Sequence, residues 1–167
     1  MHTLYLLSVW LHILAATIWI GGMFFLVLVV VPWMRAGGRA SGATFLRETG
    51  LRFRRVGWWC FGILVVTGTF NLWMRGVRLA DFVSIKWLTS PFGHLVLLKL
   101  SVFLLVLLVS ILHDFILGPR ATDQIARDPS SPEAALARKR ASLLGRINVV
   151  FALILVALGV AIVRGMP

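Results

Sequence analysis

The sequence predicts an all-α integral membrane protein, a four-helix bundle with both termini outside the cytoplasm. Its 167 residues are 59% hydrophobic, with a mean hydropathy of +0.92, whereas a soluble domain is nearer half apolar. Four apolar runs are each long enough to cross a bilayer as a helix, because about 20 residues suffice. These predicted spans cover about 4–31, 56–74, 92–117 and 143–163.

The first apolar run has no basic segment before it and is longer than the core of a cleaved signal peptide. We therefore expect it to remain in the protein as a span. The chain length suits a single transmembrane domain, residues 1–167. No internal repeat is evident in the sequence. Between the spans, Leu79–Leu88 is expected to form a short interfacial helix and Arg127–Glu133 a loop.

The net charge of +11 does not indicate a nucleic-acid partner, because most basic residues lie in the connections between apolar runs. The first and third connections carry more lysine and arginine than the middle one, so the positive-inside rule places them in the cytoplasm. We therefore expect the protein to lie in a lipid bilayer, and to cross the cytoplasmic (inner) membrane several times. The basic residues of the connections are, in order, Arg35, Arg39, Arg47, Arg52, Arg54 and Arg55; Arg75, Arg78 and Lys86; and Arg120, Arg127, Arg138, Lys139 and Arg140.

Two ionisable side chains, His12 and Lys99, lie inside apolar runs. Such groups are costly in a membrane and usually serve a function in the bundle interior. The one cysteine, Cys60, excludes an intramolecular disulfide and a cysteine metal cluster. A serine–histidine–acid set, a phosphate-binding glycine loop and an HExxH motif are all missing from the sequence, so a hydrolase or nucleotide enzyme is not expected.

Histidine within a helical bundle is a typical axial ligand of haem b. We expect His12 to be such a ligand, with Trp19 lining the haem and Asn71 as a further cofactor contact. His94 is a candidate second ligand of the same iron. His113 lies toward the opposite face and is a candidate ligand of a second haem, although with Asp114 it is also expected to cap the third helix.

Lys99 is the candidate catalytic residue, because its ammonium group is suited to hold a haem propionate or a quinone oxygen, or to carry a proton. Copper is the competing cofactor, and the same three histidines are its candidate ligands. Cu(I) prefers sulfur ligands, but the five methionines are scattered and Cys60 stands alone. The sequence therefore offers few ligands for a dedicated copper path.

Two segments carry a family resemblance. WLHILAATIWIGGMFF, residues 10–25, resembles the first span of CopD-type (copper resistance D) membrane domains, and SPFGHLVLLKL, residues 90–100, resembles a later segment of the same domains. HDFILGPRA, residues 113–121, is also similar to small CopD-like proteins. The chain is more distantly similar to HemJ-type protoporphyrinogen oxidases, which are four-span haem b proteins with an early histidine and a third-span lysine.

The residues and the resemblance leave three functions open. The first is a haem b protein that transfers electrons, with quinone or another redox protein as partner. The second is a membrane protein of copper transport or homeostasis, as the CopD resemblance implies. The third is a HemJ-like oxidase, so an oxidoreductase activity stays open, as does the oligomeric state.

Overall fold

The structure is a computed structural model that describes residues 1–36, 39–128 and 130–164. Over these ranges all regular structure is helical, which confirms the all-α prediction. Four of the described helical segments are long and apolar enough to cross a membrane, so the protein is an integral membrane protein with several spans. They cover His2–Trp33, Glu48–Met74, Pro91–Ala121 and Pro132–Arg164, which contain the four predicted spans.

The chain divides into two compact units, Met1–Val83 and Ser84–Pro167. In the first, α1 (His2–Phe25) continues through a π-helical segment (Leu26–Val30) and α2 (Val31–Arg35), and α3 (Arg39–Met74) returns beside α1. A 3₁₀ turn (Leu79–Val83) ends the first unit, and α4 (Ile85–Leu88) opens the second. There α5 (Pro91–Ile111) continues through a π-helical segment (Leu112–Leu117) and α6 (Gly118–Arg127), and α7 (Pro132–Arg164) packs beside α5.

Each π-helical segment lies just before a proline, Pro32 in the first unit and Pro119 in the second. A proline inside a helix has no N–H to donate, and its ring clashes with the carbonyl group four residues earlier. Those carbonyls belong to Leu28 and Phe115, which lie inside the two π-helical segments. The wider turn gives the carbonyl room and lets the helix continue past the proline.

Small residues let α1 and α3 approach closely in the first unit, as is usual between membrane helices. Ala15 is 3% exposed. Trp19 lies over Gly57, where a Cβ atom would stand 3.6 Å from its ring. Its indole also packs on Phe61, with ring centroids 5.0 Å apart. Residue numbers rise along α1 as those of its contacts on α3 fall, so the two helices are antiparallel.

The second unit is built in the same way with different side chains. Leu95 and Val102 of α5 form a buried cluster with Leu158 of α7, and partly buried apolar residues of α7 pack against it. Val106 and Ala152 are fully buried. These aliphatic contacts take the place of the Trp19–Phe61 contact, so van der Waals packing also holds this hairpin together.

The two units share one pattern, although no repeat is evident in the sequence. His12 precedes Pro32 by the same number of residues as Lys99 precedes Pro119. Counted from these side chains, the buried residues of the first helix fall at equivalent positions in both units: Ala15, Trp19 and Met23 match Val102, Val106 and Ser110. What repeats is burial and helix geometry rather than residue identity, and sequence comparison within the chain therefore misses it.

The connections agree with two predictions and correct a third. Leu79–Leu88 forms two short helical turns, and α6 and α7 are separated by a loop within the predicted range. In this loop the hydroxyl and N–H of Ser130 bond to Asp128 and hold the pKa of its carboxyl below the usual value. The expectation that His113 and Asp114 cap the third helix is wrong, because the π-helical segment carries the helix on to Arg127.

Candidate functional site

The best-defined polar contact in the first unit joins His12 of α1 to Thr67 of α3. The imidazole Nδ1 lies 2.8 Å from the Thr67 hydroxyl oxygen. Thr67 is 7% exposed, and His12 is partly buried. Both residues lie inside membrane-length helices, where a polar side chain gains from a hydrogen bond because lipid offers no substitute.

The geometry fixes which nitrogen of His12 carries the proton. The Thr67 hydroxyl lies 2.6 Å from the carbonyl oxygen of Ile63, one turn earlier on α3, and donates its one hydrogen there. Toward His12 the Thr67 oxygen must therefore accept, so Nδ1 carries the hydrogen. In the neutral ring the lone pair then lies on Nε2, the nitrogen suited to bind a metal ion.

The residues around this pair keep the imidazole in place. A Cβ atom at Gly68 would stand 3.3 Å from His12 Cε1, so the ring uses the space that the glycine leaves. The Ser8 hydroxyl lies 3.4 Å from the Thr67 carbonyl oxygen and donates to it. Asn71 follows one turn later, and its Oδ1 atom is buried without a hydrogen-bond partner among the described residues. Metal-binding histidines are typically fixed through their second nitrogen in this manner.

If His12 is a metal ligand, as predicted, Thr67→Val should weaken metal binding by about 10–100-fold, the usual cost of losing the partner of a metal-binding histidine. Valine keeps the shape of threonine but cannot accept the Nδ1 hydrogen, so the ring loses its fixed tautomer. Thr69→Val is the matched control, because Thr69 is exposed on the same helix. Equal copper affinities for the two variants, measured by competition with a Cu(I) chelator, would contradict the role assigned to Thr67.

Trp19, expected to line a haem, contacts Phe61 and Gly57 instead and is 4% exposed. Side chains of the first unit thus fill the interface between α1 and α3, which we call the α1–α3 seam. His12 packs against Gly68 and Trp19 packs against Gly57. A haem macrocycle does not fit within this seam. In its neutral form, an imidazole fixed through Nδ1 does fit the requirements of an axial ligand.

In the second unit Lys99 occupies the position that matches His12. Its Nζ atom lies 3.4 Å from where a Cβ atom of Gly159 would stand. Gly159 follows Asn148 on α7 by the same number of residues as Gly68 follows Gly57 on α3. Each hairpin therefore places one ionisable side chain against a glycine of the facing helix. The catalytic role of Lys99 stays a prediction.

The other two candidate histidines, His94 and His113, also belong to the second unit. His94 is exposed in the first turn of α5. His113 Nδ1 lies 3.0 Å from the Asp114 carboxylate, within the π-helical segment. A π-helical turn within an α-helix is frequent at functional sites, and a carboxylate partner is common for metal-binding histidines. The pairing of His12 with His94 on one iron joins residues of different units and stays a prediction.

A buried polar pair that the sequence did not single out as a site joins Ser110 to Asn148. The Asn148 amide nitrogen donates to the Ser110 hydroxyl oxygen at 3.0 Å. Asn148 is 8% exposed and Ser110 is 5% exposed. Asn148 Oδ1 accepts no hydrogen bond from the residues that the structure describes. Two polar residues on facing helices at membrane depth were the signal that could have revealed this pair.

Across residues 1–36, 39–128 and 130–164, no three or more histidine, cysteine or acidic side chains come together in a group able to hold a metal ion. Cys60 is buried and reduced on α3. It lies nearly two turns from Thr67 along the helix, so its thiol is not part of the His12 site. A metal site built from three or more of these side chains is therefore not a feature of the described chain.

Comparison with known proteins identifies the family. The sequence profile described as "Copper resistance protein D" matches residues 47–163, more than half of the chain. The chain belongs to the CopD family. An uncharacterized protein of Aquifex aeolicus (strain VF5) is 32% identical over 160 residues, which are 95% of each chain. No solved structure matches. The CopD match contains Lys99, His113 and Asn148, whereas His12 precedes it.

Proposed function

We propose that this CopD-family membrane protein handles copper as cargo and that His12 Nε2 is one of the ligands that the ion meets within the membrane. The observation that carries the proposal is the Thr67 contact, which leaves the lone pair of His12 on Nε2. Neutral imidazole is a suitable ligand for copper. The family, named for copper resistance, supports copper as the metal.

The small number of ligands agrees with a transported ion. A resident metal is held by several side chains and released slowly, whereas cargo must leave again. A site with one fixed imidazole gives weaker and more exchangeable binding than a closed set of thiolates and histidines. His113, paired with Asp114 in the second unit, is a further candidate ligand.

Haem b is the second candidate, with electron transfer to or from quinone or another redox protein. The specific observation that favours it is ligand number, because one fixed imidazole is enough to hold a haem iron from one side. The bound iron would supply one-electron chemistry, and His12 would hold it through Nε2. Since the α1–α3 seam is filled, the macrocycle would need to lie outside that seam. A HemJ-like oxidase activity, the third function that the sequence left open, would also require this haem.

The test is which metal the purified full chain binds. Copper handling predicts that the protein takes up Cu(I) at equilibrium, measured by competition with a Cu(I) chelator, and that its visible spectrum has no Soret band. A Soret band with matching iron content would replace copper by haem as the function. A protein that takes up neither copper nor haem would overturn both candidates. His2→Ala, which changes an exposed terminal histidine, controls for surface binding.

We further propose that both termini lie outside the cytoplasm of the inner membrane, since the first and third connections carry most of the positive charge. After Cys60→Ser removes the one native thiol, a cysteine introduced at Arg78 should react with an impermeant maleimide added to intact cells. One introduced at Arg39 should react only after the membrane is opened. The reverse labelling pattern would overturn the orientation.

A further inference from the structure

The side-chain amide of Asn148 has one satisfied end and one unsatisfied end. Asn148 is 8% exposed, and its amide nitrogen donates a hydrogen bond to the Ser110 hydroxyl oxygen. Its Oδ1 has no hydrogen-bond partner within the described ranges. Burying an amide oxygen without a donor is unfavourable, and a membrane interior offers no water to reduce that cost. The oxygen is therefore suited to accept a hydrogen bond from a molecule outside the chain.

Comparison of the two hairpins shows that the fold does not require this polar pair. The positions of the first unit that match Ser110 and Asn148 hold Met23 and Gly57, both buried. There the same helix geometry is achieved with a thioether and a glycine. The second hairpin has two polar side chains at this level, and packing alone does not explain them.

The neighbours of the pair define what kind of donor fits. Val106, one turn before Ser110 on α5, and Ala152, one turn after Asn148 on α7, are both 0% exposed. A charged donor would lose its hydration against these two apolar side chains, and that loss is costly. A neutral hydroxyl group loses much less and supplies the hydrogen that Oδ1 lacks.

We propose that Asn148 and Ser110 form a binding site in the second hairpin for a neutral hydroxyl group, which donates a hydrogen bond to Asn148 Oδ1. Two sources share this chemistry, the hydroxyl of a membrane hydroquinone and a bound water molecule. His113 follows Ser110 by one turn of the same helix and is paired with Asp114. The site rests on the second hairpin alone and does not depend on His12 or on a metal.

Infrared spectroscopy can read this oxygen directly, because the chain has two asparagines, Asn71 and Asn148. Labelling the side-chain carbonyl of asparagine with carbon-13 in the purified full chain gives two isotope-shifted bands. The variant Asn71→Leu removes one band and Asn148→Leu removes the other, so either variant assigns both. The probe is a decyl-substituted benzoquinol, added to protein that organic extraction shows to be free of quinol.

A hydrogen-bonded carbonyl absorbs at lower frequency than an unbonded one. If the Asn148 band is at the bonded frequency before the probe is added, the donor is water. If it moves to the bonded frequency on adding the quinol, the donor is the hydroquinone, and Asn148→Leu should weaken quinol binding about tenfold. Ser101→Ala, which removes an exposed hydroxyl of α5, should leave quinol binding unchanged. A band at the unbonded frequency with and without the quinol would overturn the proposal.

Discussion

Replacing His12 by alanine should weaken copper binding by more than about 100-fold. Alanine removes the Nε2 ligand itself, so the loss should exceed the ~10–100-fold that loss of an outer partner costs. The described residues include no group of three or more histidine, cysteine or acidic side chains that could take over the ion. Copper affinity of the purified chain, measured by competition with a Cu(I) chelator, gives the number.

The control for this variant is His2→Ala. His2 is exposed at the start of α1, and its removal should change copper affinity by less than about threefold, since an exposed imidazole with no fixing partner binds a metal ion weakly. Thermal unfolding of both variants shows whether the protein is still folded. If His12→Ala retains the copper affinity of the native chain, His12 is only a hydrogen-bonded interior residue and the proposed function loses its main support.

Replacing Gly68 by leucine should disrupt both the hairpin and the site. A Cβ atom at this position already stands 3.3 Å from the His12 ring, and the rest of a leucine side chain needs the space that the imidazole occupies. Overpacking of this kind costs about 1–3 kcal/mol. We expect a lower unfolding temperature and at least tenfold weaker copper binding, because the displaced ring loses Thr67.

Gly62→Leu is the matched control on the same helix. No heavy atom lies within 4 Å of a Cβ placed at Gly62, so leucine there should change stability by no more than about 0.5 kcal/mol. Comparison of the two variants separates the effect of the His12 contact from the general effect of leucine in α3. Equal stability and equal copper affinity for the two would show that Gly68 does not position His12.

The sequence predicted the four spans because about 20 apolar residues in a row have few alternatives to a membrane helix. It missed the two π-helical segments, although Pro32 and Pro119 inside continuous apolar helices were the signal that could have revealed them. The polar connection before the second apolar run was a poor guide to where the helix begins, since charged residues such as Arg52 and Arg54 lie within α3 itself.

His12 could be singled out from its place in an apolar run, but its tautomer could not. The tautomer depends on where the Thr67 hydroxyl points, and that direction follows from the contact with the Ile63 carbonyl. Trp19 was expected beside a cofactor because its spacing from His12 places both on one face. Such spacing does not tell whether a bound cofactor or the facing helix packs against that face. In the structure Trp19 packs against Gly57 and Phe61 of α3.

The shared pattern of the two hairpins gives the polar residues a context that the sequence did not supply. Lys99 and His12 occupy equivalent positions and each faces a glycine, Gly159 or Gly68. The chemistry at this level differs between the hairpins, an ammonium group in one and an imidazole in the other, while the steric arrangement is kept. Side chains of such different character share no sequence signal, which is why only the packing reveals the correspondence.

The central claim is that His12 is held with its hydrogen on Nδ1 and offers Nε2 to a metal ion. Nitrogen-15 NMR of labelled imidazole measures it directly in a chain whose other three histidines, His2, His94 and His113, are changed to glutamine. The account predicts a protonated Nδ1, an unprotonated Nε2, and a shift of the Nε2 resonance when Cu(I) is added. A hydrogen on Nε2, or an Nε2 resonance that Cu(I) leaves unchanged, would contradict it.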